Sequence, residues 1–388
     1  LTPLFERIET RRAWTDDERL VLDSVRRLAD EVIAPGADTY DRSGDFPADN
    51  IAAITDLGLN GLFVPEAYGG NPISYRLYLA CVRTISEACA STGITYATNF
   101  HGLGPLVEFG SEAQKRRLLP RIAAGGLGAL VITEPQAGSD AVAMTTRFTP
   151  NGDEIVINGA KHFITSGDMA DLLLLFGKWS EIDGDRAAIS ALILEKGAPG
   201  FSVTGHEEKM GLHASSTVSL AFDDCRVPRT NLLGEPGDGL NILLASLNKS
   251  RPSIAAHALG IADAAFKDMV DYMNQRKAGG QHIVEFQGNQ FLLADLAGEL
   301  ALCEIWLDHV AALVDAGTDE IGVEASLAKL RASDLAMRMA TEAVQMHGGS
   351  GYIRGTRCER LMRDAKITQI WEGTNQIHRQ LIGRSFRQ

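Results

Sequence analysis

The chain has 388 residues, 45% of them hydrophobic and 22% charged, with a formal net charge of −13. That length exceeds what one core usually organises, so two or three packed regions are expected, and no stretch has a disordered composition. The acidic balance argues against nucleic acid or an anionic membrane as main partner, and no apolar run reaches membrane-spanning length.

Five cysteines (Cys81, Cys89, Cys225, Cys303 and Cys358) are an odd number, scattered and without metal-ligand spacing. They are read as free thiols in a reducing compartment, with no metal site. No signal-peptide pattern opens the chain. The expectation is a protein of the bacterial cytoplasm or the mitochondrial matrix, not a secreted one.

The N-terminal third, residues 1–128, reads as helical. Thr15, Asp16, Asp17 and Glu18 form a capping box, and Val21, Leu22, Val25, Leu28, Ala29, Val32 and Ile33 recur behind it at helical spacing. Pro35-Gly36 is read as the stop of that helix. Further helical patterns start at Ile51 and run over 75–90 and 114–123. No catalytic constellation stands out, and His101, between Phe100 and Gly102, is read as a structural histidine.

The period changes after about residue 128. Leu130, Val131, Ile132 and Thr133 make a short β-branched run, followed by the breaker-rich segment from Glu134 to Asp140. Asn151-Gly152 and Asn158-Gly159 are turn dipeptides flanking a strand-like stretch. Strands are also expected over 161–165, 172–176, 188–194 and 218–222. Short strands with regular turns predict a small antiparallel sandwich or barrel over 129–238. Helical spacing returns with Leu240, Leu243, Leu244 and Leu247, and residues 239–388 read as a helical bundle. The fold class is therefore α+β, in three successive regions.

One stretch near the end carries a candidate for chemistry, Ile370-Trp371-Glu372-Gly373-Thr374. A carboxylate beside an apolar ring loses hydration, which sharpens it as a base. Gly373 permits a sharp turn and close approach of a ligand, and Thr374 is a plausible N-cap for a following helix. The same residues, read alone, also fit a solvated loop carboxylate next to a plain turn.

The run Arg363-Asp364-Ala365-Lys366-Ile367 followed by Ile370-Trp371-Glu372-Gly373-Thr374 resembles the C-terminal signature of the acyl-CoA dehydrogenases. Thr133-Glu134-Pro135 with Ala137-Gly138-Ser139-Asp140 resembles that family's first signature, with Gln136 where Gly, Asp or Asn is usual. Arg276 with Gln287, and Gln345-Met346-His347-Gly348-Gly349-Ser350-Gly351-Tyr352, supply two more matches in order. None of these glycines forms a strand-linked GxGxxG, and no Walker A sequence is present.

The resemblance implies an FAD enzyme that desaturates an acyl-CoA thioester, with Glu372 taking the α-proton while hydride leaves Cβ. It implies that Leu130, Ile132 and Thr133 edge the flavin and that Phe163 and Thr165 lie against its ring, Phe163 standing in place of a usual Trp. Ser139 is carried over to the flavin phosphates or the CoA. Arg276 would reach the FAD pyrophosphate of a neighbouring subunit, Gln345, Gly348 and Gly349 would line the FAD adenosine, and Gln287, Thr374 and Gln376 would also touch the cofactor. Asn248, Arg251, Glu372 and Gly373, with Ser139, would meet the substrate. An electron-transfer flavoprotein as acceptor and a homotetramer are implied as well.

The sequence departs from the family pattern in two places. Ala278-Gly279-Gly280 stands where Thr-Phe-Gly is common, which puts the cover over the FAD adenine in doubt. Asn248 replaces a frequent Asp at the CoA end, so the thioester could instead be carried by an acyl-carrier protein. An oxygen-using oxidase of the same fold, or a non-enzymatic binding protein, would also fit the pattern. Relatives that carry their base on the earlier helix place it at the position of Ser250. A serine there sets the expectation on Glu372 alone.

Overall fold

The computed structural model describes residues 3–318 and 320–387. Seven α-helices come first: α1 (Pro3–Arg11), α2 (Asp16–Leu28), α3 (Ala34–Ser43), α4 (Ala48–Asp56), α5 (Tyr75–Ala88), α6 (Ala90–Phe109) and α7 (Glu112–Ala123). The Thr15 capping box is formed, with Thr15 accepting from the Glu18 amide and Glu18 reaching back to the Thr15 amide. Pro35 does not stop the first helix, contrary to expectation. A π turn over Ala29–Ile33 widens the spiral just ahead of the proline, the chain continues as α3, and Gly44 ends it at φ 73°.

Helix α6 gave no periodic signal because it is buried nearly all round. Ser91, Thr92, Thr95, Thr98 and Asn99 are as enclosed as its apolar residues. Its Gly102 lies where a Cβ would stand 2.8 Å from the Ala129 backbone, so the helix presses directly on the first strand.

The middle region is a sheet of eight strands: β1 (Gly128–Val131), β2 (Arg147–Asn151), β3 (Glu154–Thr165), β4 (Leu172–Trp179), β5 (Ile189–Glu195), β6 (Phe201–His206), β7 (Thr217–Pro228) and β8 (Leu232–Leu233). Their order is β6-β7-β3-β2-β4-β5-β8, with β1 beside β4. The sheet is not purely antiparallel, because β1 and β2 both run parallel to β4. Asn151-Gly152 is the expected hairpin turn between β2 and β3. Asn158-Gly159 is not a turn: β3 runs through it, with a register shift at Gly159 (φ 153°) and the Thr146 hydroxyl 2.5 Å from where its Cβ would be. Strand β4 is apolar from Leu172 to Gly177 because both faces are covered there. Leu173 and Leu175 point into the sheet's inner core, whereas Leu172, Leu174 and Phe176 pack with Leu103, Leu106 and Leu119 of α6 and α7.

The last third is α8 (Gly239–Gln275), the hairpin β9 (Lys277–Ala278) with β10 (Gln281–His282), then α9 (Gln287–Asp315), α10 (Gly322–His347), α11 (Arg357–Thr368) and α12 (Asn375–Arg384). Helices of both ends share one core, in which Leu77, Val82 and Ile85 of α5 meet Ala258, Leu259 and Ala262 of α8 and Leu335 and Met339 of α10. A Cβ on Gly260 would sit 2.4 Å from the Arg83 carbonyl, so α5 and α8 are in backbone contact. Ala278-Gly279-Gly280-Gln281 is a tight two-residue hairpin with Gly279 at φ 57° and Gly280 at φ 88°. The Phe286 ring reaches within 3.9 Å of where a Cβ on Gly279 would be, so an aromatic side chain already borders that position.

One buried ion pair fixes the start of the sheet. Lys161, fully enclosed on β3, donates to Glu134 Oε1 at 2.9 Å and to the Ile132 carbonyl at 2.7 Å. Glu134 also accepts from the Thr145 and Thr146 amides at 2.7 and 2.9 Å. Burial opposes its charge, but Lys161 and these donors outweigh burial and bring its carboxyl to about 2. The stability this pair contributes is complete above the ordinary carboxylate range and is lost as pH falls toward 2. Lys161→Met would strand a buried carboxylate, costing ~3–5 kcal/mol at neutral pH. In thermal melts the deficit should shrink as pH is lowered toward 3, where the stranded carboxyl protonates. A deficit independent of pH would contradict the charge argument.

Candidate active site

The site is built on one short loop and the helices around it. Residues 369–374 join α11 to α12, and α11 is anchored through its middle. Arg363 holds Asp41 of α3 at 2.6 and 3.0 Å, and buried Asp364 accepts from the Leu212 amide at 2.6 Å. Arg360 faces Asp38 at 3.7 Å and Arg357 donates to the Glu87 carbonyl, so these α11 arginines too are held by the protein. The Thr374 hydroxyl caps α12, accepting from the Ile377 amide.

Between these anchors the backbone turns through two left-handed residues, Glu372 at φ 54° and Gly373 at φ 93°. The first is uncommon for a residue with a Cβ and needs support from its surroundings. Lys329 of α10 supplies it: its buried ammonium donates to the Gly373 carbonyl at 2.8 Å and to Asn375 Oδ1 at 3.0 Å. Asn375 in turn donates to Ser333 and Asp334, and Asp334 also accepts from Gln369. Burial pulls the Lys329 ammonium down to about 7 against the opposing attraction of Glu372. Gly373 is also required on the other side, since a Cβ would lie 3.2 Å from His378 Nε2.

Glu372 is thereby pointed back at α8 and α6. Its Oε2 accepts from the Ser250 hydroxyl at 2.8 Å, and its Oε1 lies 3.8 Å from His101 Nδ1. Arg251 is buried beside it, its Nε without a partner; burial weakens its hold on the proton and Glu372 opposes this. His257 and His378 are enclosed and neutral, burial taking each down to about 3. Trp371 packs 5.7 Å from the His257 ring. The site holds one carboxylate with cationic neighbours. Ser250 offers a hydroxyl, not a second acid.

Sequence reading named Glu372, Gly373, Arg251, Thr374 and the Ser250 position, and the structure brings these together. It missed Lys329 and did not place His101 beside Glu372. A lysine at a buried helix position was a detectable signal, because such residues are rarely enclosed without a partner.

The remaining expected residues lie in two other places. Leu130, Ile132 and Thr133 leave the end of β1, where the Lys161–Glu134 pair holds the Ile132 carbonyl and the His162 amide donates to the Thr133 carbonyl at 2.8 Å. Phe163 and Thr165 are on the adjoining β3, and Ser139 is exposed on the loop beyond. Arg276 and Gln287 flank the β9–β10 hairpin; Gln345, Gly348 and Gly349 end α10, and Gln376 starts α12, all of them exposed. Asn248 is half-buried on α8, its Oδ1 3.4 Å from where a Cβ on Gly322 would be.

The residues fit a flavin. Phe163 is held at φ 58° with its ring 59% exposed, a strained aromatic that a planar ligand would cover. Gly348 and Gly349 leave open space where side chains would project. Arg276 is exposed beside the β9–β10 hairpin, a guanidinium of the kind that binds phosphate.

The chain thus has three regions in the order helical, β and helical, with one supported carboxylate on the loop between α11 and α12. Three family models match the chain: acyl-CoA dehydrogenase N-terminal domain over 15–126, middle domain over 129–225 and C-terminal domain over 237–386. An acyl-CoA dehydrogenase of Bacillus subtilis is 41% identical over 95% of this chain and 98% of its own. Butyryl-CoA dehydrogenase from Megasphaera elsdenii superposes with a TM-score of 0.93 at 37% identity, covering 96% and 98% of the two chains. A glutaryl-CoA dehydrogenase from Mycobacterium smegmatis, in complex with FADH2, gives 0.91 at 26% identity over 99% of each. The chain belongs to the acyl-CoA dehydrogenase family and is an oxidoreductase.

Lys329→Met should release the 369–374 loop. It leaves the Gly373 carbonyl and Asn375 Oδ1 without their donor, each worth ~1–3 kcal/mol when buried and unmet. Turnover should fall ~10²-fold, the cost of displacing a catalytic group by about an ångström, and amides 371–374 should lose hydrogen-exchange protection. Unchanged protection in the variant would contradict this role for Lys329.

Proposed function

We propose that the protein catalyses α,β-dehydrogenation of an acyl-CoA thioester to the trans-2-enoyl-CoA, with Glu372 as the base. The observation that carries this is the aim of Glu372: a lone carboxylate on a strained loop, supported from behind by Lys329 and in front by the Ser250 hydroxyl.

Removing an α-proton from a thioester requires a base that is close, oriented and partly stripped of water. Glu372 is 14% exposed and meets these conditions without a competing acid. The proton passes from the α-carbon to a Glu372 oxygen. The Glu372 backbone amide is the donor that would meet the thioester oxygen as negative charge develops there. FAD, when bound, takes up the hydride from Cβ. Leu130, Ile132, Thr133, Phe163 and Thr165 would hold its ring system, and Ser139, Thr374 and Gln376 would add further contacts. Arg276, Gln287, Gln345, Gly348 and Gly349 would hold its pyrophosphate and adenosine from a neighbouring subunit, which makes a homo-oligomer, expected to be a tetramer, part of the reading. Asn248 and Arg251 with Ser139 would meet the thioester substrate. The electrons then go to an electron-transfer flavoprotein. Similarity to a butyryl-CoA enzyme makes short acyl groups the first to assay.

Glu372→Gln tests the assignment. It keeps the size and the contact with Ser250 but cannot accept the proton. With about one FAD retained per chain, reduction of the flavin by the best acyl-CoA should slow by at least ~10²–10⁴-fold. Near-normal reduction would overturn the base assignment. Hydrogen peroxide formed in step with turnover in air would replace the electron-transfer flavoprotein with oxygen as acceptor.

A further inference from the structure

His101 has no part in the mechanism above, yet it is the titratable side chain nearest the unpaired face of Glu372. It lies on α6, 2% exposed, with Nδ1 3.8 Å from Glu372 Oε1. Its other nitrogen, Nε2, is in close contact with the Ser253 hydroxyl. The tautomer is set by the single Ser253 hydrogen: with it on the Ser250 carbonyl at 2.7 Å, His101 Nε2 carries the proton and donates to Ser253. In that arrangement Nδ1 keeps a lone pair, 3.8 Å from Glu372 Oε1. The other oxygen, Oε2, is already taken by the Ser250 hydroxyl.

Two acceptors thus face each other with no hydrogen between them. Closing by about an ångström would bring them into hydrogen-bond range, but only once a proton arrives. The reaction delivers one. We propose that His101 is the second proton acceptor of the site, taking from Glu372 the proton removed from the α-carbon. This rests on Glu372 being the base. The α C–H bond breaks with its electron pair left on carbon, and the proton bonds to Glu372 Oε1. That O–H bond then breaks as an N–H bond forms on His101 Nδ1. A carboxylate and an imidazolium result, side by side, with Nε2–H still on Ser253. The transfer clears the base and opposes return of the proton to carbon.

The surroundings suit a transient seat. His257, the other imidazole that acts on His101, is neutral, and burial keeps His101 itself neutral while Glu372 favours its charge. Glu372 is the neighbour that favours a positive charge on His101, and it does so only when ionised. The imidazolium is therefore tied to regeneration of the carboxylate.

The test uses holoenzyme with histidine labelled by ¹⁵N and a thioester whose β-carbon is replaced by sulfur and whose α-carbon is ¹³C. Such a ligand can lose its α-proton but has no β-hydrogen to give up. The ¹³C signal reports proton loss, and the His101 ring nitrogens, assigned with His101→Gln, report where the proton goes. Nδ1 should be unprotonated in the free enzyme and protonated in the complex. His101→Gln, which keeps a donor toward Ser253 but cannot take the proton, should reduce the deprotonated fraction of ligand ~10-fold, with affinity falling only by the share that deprotonation contributed. Nδ1 already protonated in the free enzyme would overturn the proposal. So would an Nδ1 signal that stays put while the ligand loses its proton, or a His101→Gln variant that deprotonates it as fully as wild type. Glu372→Gln separates the two readings: if the ligand still loses its proton there, Glu372 is not the base and the assignment beneath the proposal fails.

Discussion

A buried ammonium gripping a loop carbonyl is the contact on which the site depends. Lys329 has its charge taken out of water, and two of its three donors go to the Gly373 carbonyl and Asn375. The left-handed Glu372 costs on the order of 1–3 kcal/mol and persists only where the surroundings over-determine it. The surroundings do so from three sides: Lys329 and Asp334 of α10 from behind, His378 beneath Gly373, and Ser250 of α8 in front. The carboxylate is held on rigid helices although it sits on a loop.

The same economy explains the buried charges elsewhere. Arg363 and Asp364, conspicuous as a dipeptide, do no chemistry; they tie α11 to α3 and to the segment before β7. Lys161 and Glu134 tie β3 to the end of β1, fixing the backbone on either side of Thr133. Arg83 bridges Asp263 and Glu304, joining α5 to α8 and α9 beneath the site. The Arg363, Lys161 and Arg83 pairs leave no lone charge enclosed, whereas Asp364 meets the Leu212 amide and burial raises its carboxyl to about 6; each contact joins elements far apart in sequence. Such pairs are costly to break from one side, which makes the junction of the three regions stiff.

The order of helical, β and helical regions was legible because periodicity changes near 128 and returns near 238. The C-terminal signature made Glu372, Gly373 and Thr374 legible too. What escaped was set by tertiary enclosure. Helix α6 has no polar face to betray it, and Gly159 reads as a turn in sequence but serves as a bulge packed against Thr146. Pro35 looked like a stop, whereas a π turn upstream accommodates it. His101 was indistinguishable from a packing residue until α6 was seen to cross above the 369–374 loop. Lys329 was hidden for the same reason: a lysine's partners lie across space, and here they are 44 and 46 residues away.

The central claim is geometric: the Lys329-held loop aims Glu372 at the α-carbon of a bound thioester. A structure of the FAD-loaded enzyme with an acyl-CoA analogue that cannot be oxidised tests it directly. The account predicts a Glu372 carboxylate oxygen ~3–3.5 Å from the α-carbon, with the Lys329 contact to the Gly373 carbonyl intact. An α-carbon out of reach of Glu372, or facing a different base, would contradict it.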